Sequence, residues 1–175
     1  MTPLEIVLSM VIGVLSGLAT SGLWLFIFLR FKPKIGISDF IRKSPKDNKT
    51  YQIKVINRSG SPALNVKAQL HLMNRLKAEE GEFTNSIPIQ LRRSELFQLS
   101  TRDPQKKGAA VFRFAIDTDL TDLDDLKKRY PHSYLAFRLF ATHPITQFGR
   151  LFKQDYPWDR IKEGDWKAEE SLKVI

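Results

Sequence analysis

No charge interrupts the chain from Ile6 to Leu29, a run of 24 residues. An α-helix needs about 20 apolar residues to cross the hydrocarbon core of a bilayer, so the run predicts a transmembrane helix. A cleaved secretory signal would open on basic residues and close on a small-residue site with a shorter apolar stretch. Here the run comes after "MTPLE", and the small triplet Ala19 to Ser21 leads on into "GLWLFIFL". The expectation is a retained anchor over residues 1–31, with the lipid bilayer as its first partner.

The flanks orient it. Glu5 alone precedes the run, whereas Arg30, Lys32, Lys34, Arg42, Lys43, Lys46 and Lys49 lie within about 20 residues after it, and such basic flanks stay cytoplasmic. The N-terminus is therefore expected outside and the body of the protein on the cytoplasmic face of the cell inner (plasma) membrane. Trp24, Phe26, Phe28 and Phe31 fall near the inner end, where aromatic rings settle at headgroup level.

Within the run, every fourth position is small: Ser9, Gly13, Gly17 and Ser21. In lipid, hiding apolar side chains gains nothing, and close backbone approach through small residues becomes the main source of packing energy. The ladder predicts a helix-packing face and a homo-oligomer.

Of the 175 residues, 28 are Lys or Arg and 19 Asp or Glu, a formal charge of +9. Because Glu5 is the only charge before Arg30, the excess lies wholly after the run. A basic domain can attract anionic lipid, nucleic acid or a phosphorylated small molecule, and charge alone does not choose. With no cysteine, disulfides, thiolate metal sites and cysteine nucleophiles are excluded.

Strand patterns dominate the chain beyond the apolar run. "YQIKVIN" places Tyr51, Ile53 and Val55 on one face and Gln52 and Lys54 on the other; "LNVKAQLHL" alternates Leu64, Val66, Ala68, Leu70 and Leu72 against Asn65, Lys67, Gln69 and His71. Period-two alternation marks a strand with one face on a core. Further candidates are "IGISDFI", "IPIQL", "LFQL", "AVFRFAI", "YLAFRLFAT" and "GRLFKQDY", while the polar "MNRLKAEEGEFTNS" reads as a loop. Short strands separated by turn signals predict an antiparallel β-sandwich over residues 32–160, with "YLAFRLFAT" central and residues 161–175 a charged tail.

One short helix interrupts the strands. Asp119, Asp122, Asp124 and Asp125 crowd the front of "DTDLTDLDDLKKRY" and Lys127, Lys128 and Arg129 its end, complementing the helix dipole. Leu120, Leu123 and Leu126 form its apolar stripe, and pairs four apart join Asp124 to Lys128 and Asp125 to Arg129. The glycine and closing glutamate of a calcium-binding loop are missing, so no metal site is assigned.

Tyr51 to Leu72 resembles the second and third strands of bacterial immunoglobulin-like domains of the cell-adhesion-related type. Val55, Asn57, Ser59, Gly60, Ala63 and Val66 carry the resemblance, which implies an immunoglobulin-like fold without enzymatic activity. The layout of one N-terminal span and a small cytoplasmic β domain is similar to that of membrane effectors of bacterial antiphage signalling. That likeness implies a nucleotide messenger as ligand.

No phosphate-loop, dinucleotide, nucleophile-elbow or zinc-protease motif is present, so no catalytic residue and no cofactor are assigned. Sequence-specific nucleic-acid recognition lacks a motif. For an anionic ligand the candidates are Arg92, Arg93, Arg113, Arg138, His143 and Arg150, with Arg102, Lys106 and Lys107 nearby in the sequence. An arginine fork on a strand can hold a phosphate at two points, and Arg138 is the one expected to have a specific partner, an internal carboxylate included. His143 lies in "ATHPITQFGR", a compact loop with polar Thr142, Gln147 and Arg150. The leading expectation is a non-enzymatic membrane sensor or effector for an anionic, nucleotide-like ligand. The alternatives are an adaptor that recruits a partner protein and a membrane-associated enzyme.

Overall fold

The structure, a computed structural model, describes residues 2–46, 49–78, 81–103, 110–167 and 171–174. Its first element is α1, Pro3–Arg30, long and apolar enough to cross a membrane. The start is built by a reciprocal cap: Glu5 N–H donates to the Thr2 hydroxyl at 3.3 Å, and Thr2 N–H donates to the Glu5 carboxylate at 2.8 Å. Pro3 occupies the first helical position, where its missing N–H costs nothing. Hydroxyls along the helix turn back onto its own carbonyls, Ser9 to Ile6, Ser16 to Gly13 and Thr20 to Ser16. That self-satisfaction is what an apolar medium demands of a polar side chain. Space beside Gly13 and Gly17 is open.

Among the described residues, ten strands form two sheets. The first joins β1 (Ile35–Ile37), β2 (Ile41–Lys43), β3 (Tyr51–Asn57), β7 (Val111–Ala115) and β10 (Ile161–Glu163); β1 and β2 lie along one edge of β3, and β7 lies along the other. The second joins β4 (Ala63–Ala78), β5 (Gly81–Ile89), β6 (Glu95–Leu99), β8 (Tyr134–Thr142) and β9 (Gly149–Pro157), in the order β5-β4-β8-β9 with β6 also on β4. As expected, β8 is central, flanked by β4 and β9. Helix α2, Leu123–Arg129, connects β7 to β8, capped by the Asp122 carboxylate on the Asp124 and Asp125 N–H groups.

One apolar cluster draws on both sheets: Ile53, Val55 and Phe114 from the first, Leu70, Leu72, Phe137 and Leu139 from the second. The Phe114 and Phe137 rings meet across it at 5.7 Å. Each such side chain contributes about 1.5–3 kcal/mol on full burial. Tyr156, fully buried on β9, donates its hydroxyl to the Ser38 carbonyl at 2.7 Å and so ties the second sheet to the break between β1 and β2.

Several sequence expectations are corrected. Much of the stretch expected as a loop is strand: β4 continues from Met73 to Ala78 and β5 begins at Gly81, pairing Met73 with Ser86 and Arg75 with Thr84. Backbone bonds hold this hairpin arm, and its mixed polar sequence gives no period to read. The alternation of β4 breaks at a bulge between Leu64 and Lys67, where Asn65 adopts φ 50°, a conformation asparagine tolerates. Ala63 rather than Leu64 is fully buried as a result. Leu120 is exposed and precedes α2, and Asp124 turns to Lys43 at 3.3 Å, while Asp125 keeps its bond to Arg129 at 2.7 Å.

The segment after residue 160 joins the first sheet. Strand β10 pairs with β2 in parallel, against the all-antiparallel expectation. Arg42 holds the next turn, donating to the Gly164 carbonyl at 2.7 Å and to the Asp165 carboxylate. Beyond it, Trp166 lies 5.2 Å from the Lys54 ammonium, which also donates to the Ser171 carbonyl at 2.8 Å. Lys54 is therefore fully buried, although it points away from the apolar core as its place in the alternation requires.

Candidate functional site

The structure disperses most of the expected anion-binding set. Arg92 and Arg93 sit between β5 and β6, the first 3.9 Å from Asp119 and the second donating to the Glu95 carbonyl. Arg113 is on β7, opposite Lys54. Arg138 does have the internal partner expected of it, the Asp155 carboxylate at 2.6 Å, and also donates to the Phe137 carbonyl at 2.9 Å. Arg150 lies over the Phe152 ring at 5.2 Å. Lys106 and Lys107 are outside the described residues.

His143 has different neighbours. The chain leaving α1, the β3–β4 turn and the β8–β9 loop converge on a cleft of about 310 Å³ lined by Phe31, Lys32, Lys34, Arg58 to Ser61, His143 and Ile145. Its construction begins at Asn57, fully buried at the end of β3. The Asn57 amide donates to the carbonyls of Ser61, Leu99 and Ser100 at 3.0–3.2 Å, and its oxygen accepts from the Ser59 N–H and hydroxyl. This fixes the turn that carries Arg58, Ser59 and Ser61. Arg58 N–H then donates to the Lys34 carbonyl at 2.7 Å, binding the turn to the segment below α1. The Arg58 side chain lies across Gly36, where a Cβ would come to 3.0 Å from its Nε.

The opposite wall is the β8–β9 loop. His143 is nearly buried, with Nε2 2.7 Å from the Ser61 hydroxyl. Its Nδ1 faces the N–H groups of Ile145 and Thr146 at 3.4 and 3.5 Å. Nδ1 thus accepts and Nε2 carries the proton, the tautomer these partners assign. Burial pushes the imidazole pKa below its ordinary value, so His143 is neutral at pH 7. Although serine and histidine touch, the imidazole Nε2–H donates to the Ser61 hydroxyl and has no lone pair free to accept its proton, the reverse of a serine nucleophile and its base. The Ser61 hydroxyl, already accepting from His143, keeps its own proton for the cleft.

The cleft's charge comes from Lys32, Lys34 and Arg58, all exposed and, among the described residues, in no ion pair. A larger cleft of about 380 Å³ beside α2 contrasts with it. There the Lys43 ammonium, held above its ordinary pKa first by the Tyr51 hydroxyl and then by Asp124, already has a carboxylate partner. An anion entering that cleft meets Asp122 and Asp124 as well. The junction cleft presents three cations with no carboxylate in its lining.

The sequence pattern places His143 in a polar loop but does not reveal the rest of its cleft. In the sequence Lys32 and Lys34 read only as orienting flanks. Ser61 and His143 are 82 positions apart, and no local pattern joins them. No protein-family model matches the chain, and no curated protein matches it.

Proposed function

We propose that this chain is a single-pass membrane protein without catalytic activity, a sensor or effector that takes up an anionic ligand in the junction cleft and passes its occupancy to α1. The carrying observation is a cleft that joins Lys32 and Lys34, which follow an apolar helix of membrane-spanning length, to Arg58 of the β3–β4 turn, three cations in no ion pair among the described residues. A ligand there bridges the segment leaving α1 and the β3–β4 turn, so binding tightens the one against the other. The basic flank supports a cytoplasmic placement of the domain. Strand order supports an immunoglobulin-like sandwich: β1, β3 and β7 face β5, β4, β8 and β9 much as strands A, B and E face C′, C, F and G. Nucleotide messengers belong to the ligand class this cleft would take.

Native mass spectrometry of the full chain released from mild detergent tests the reading. The expected spectrum shows a discrete oligomer retaining a phosphate-containing mass, which disappears from the Lys34→Gln/Arg58→Gln variant. Phosphate compounds that bind wild type and variant equally would overturn the assignment of the cleft.

A second reading, an adaptor for a partner protein, draws on β9. Among the described strands β9 pairs only with β8, and exposed Leu151 and Phe140 lie opposite each other on that pair. A partner adding a strand there would protect β9 amides from exchange while leaving the cleft unchanged. The enzyme reading is opposed by the His143 tautomer; loss of turnover in His143→Ala with binding intact would revive it.

A further inference from the structure

The β8–β9 loop is tied to the place where α1 ends. Thr146 donates its hydroxyl to the Phe31 carbonyl at 3.1 Å, and the Phe31 ring lies 5.6 Å from the His143 imidazole. Phe31 is the C-cap of α1. In a spanning helix, groups bonded to that residue lie at headgroup level. In this loop the Ile145 side chain is 77% exposed and that of Phe148 38%. Lys32, Lys34 and Arg58 line the same cleft as Ile145. Apolar tips next to unpaired cations make an interfacial surface, the first entering between lipids and the second meeting anionic headgroups.

We infer that the junction cleft holds the phosphate of an anionic phospholipid headgroup, with Ile145 and Phe148 seated between neighbouring lipids. The inference rests on the reading of α1 as a span and of the cleft as an anion site. The Arg58 fork can take two phosphate oxygens, Lys32 and Lys34 supply point charges, and the Ser61 hydroxyl has a proton to give. A lipid fits better than a soluble phosphate compound because the cleft opens at the helix end and its flanks are apolar. The domain is then held flat on its own membrane, and loss of anionic lipid releases it.

The absence of cysteine makes a single Ile145→Cys label specific. The full chain, labelled there with an environment-sensitive dye, is placed in nanodiscs of phosphatidylcholine alone or mixed with phosphatidylglycerol. The mixed discs should give a blue-shifted emission and several-fold stronger quenching by headgroup-level nitroxide lipid, both lost in the Lys34→Gln/Arg58→Gln background. Identical emission in the two membranes would overturn the inference. Native mass spectra with phosphatidylglycerol or with inorganic phosphate distinguish a lipid site from a general anion site. Cleft-dependent retention of phosphate without phosphatidylglycerol ends the lipid inference and leaves the anion site standing. Retention of neither, by a chain that resists alkaline extraction from membranes, ends both.

Discussion

Asn57 shows how one side chain sets the shape of a site it does not touch. Its amide and carbonyl oxygen bond three carbonyls and two donors around the β3–β4 turn, and alanine would remove all five bonds, leaving only the Ser59 hydroxyl bond to the Ser61 carbonyl among them. Asn57→Ala is expected to cost about 2–4 kcal/mol, read as a lower denaturation midpoint of the full chain in detergent. His143 makes the same wall sensitive to acid. Its native pKa lies below the ordinary 6.5, so above that value both folded and unfolded imidazoles are neutral and stability is complete. As pH falls through 6.5 the unfolded chain takes up the proton first, and stability drops until the lower native pKa is reached. Protonation of Nδ1 would also set a donor against the Ile145 and Thr146 N–H groups, next to the cations of the cleft. A thermal melt recorded on both sides of this range should show an acid-side loss in wild type that His143→Gln lacks.

Among the elements, what could be read from sequence is what a face records. The uncharged run forms α1, the period-two pattern holds in β4 from Val66 onward, and the charge order marks α2, although Leu120 falls outside that helix. The arm of β4 and β5 beyond Met73 has no such surface, since its register rests on backbone pairing. Lys54 misleads because a later segment of chain covers it, and the strand's own pattern has no trace of Ser171 or Trp166. The cleft is illegible for a related reason: it draws on three connections, and connections have no period. Gly149 at the start of β9 gives an element-scale test. A Cβ there would lie 2.3 Å from the Phe140 ring, so Gly149→Ala must push the ring outward. The expected cost is about 1–2 kcal/mol, and Phe140→Ala should absorb it, as a double-mutant cycle would show.

For the whole molecule, the proposed membrane-bound form depends on contacts between helices that a single chain cannot display. Gly13 and Gly17 leave open space along α1, on the face that Ser9 and Ser21 continue. Gly17→Leu is expected to reduce the proposed oligomer to monomer in native mass spectra, and an oligomer that survives the substitution would move the contact to the β domain. The proposed anion site and this face lie at different depths, so a cleft variant should alter ligand retention without altering subunit number. The return of β10 to pair with β2 bears on how such a protein is made. Synthesis delivers α1 first, yet the first sheet lacks a strand until residue 163 has emerged, and the cleft lacks a wall until the β8–β9 loop has. With α1 in a membrane as proposed, a nascent chain would be tethered there long before its β domain could fold, and early misfolding would take place at the lipid surface.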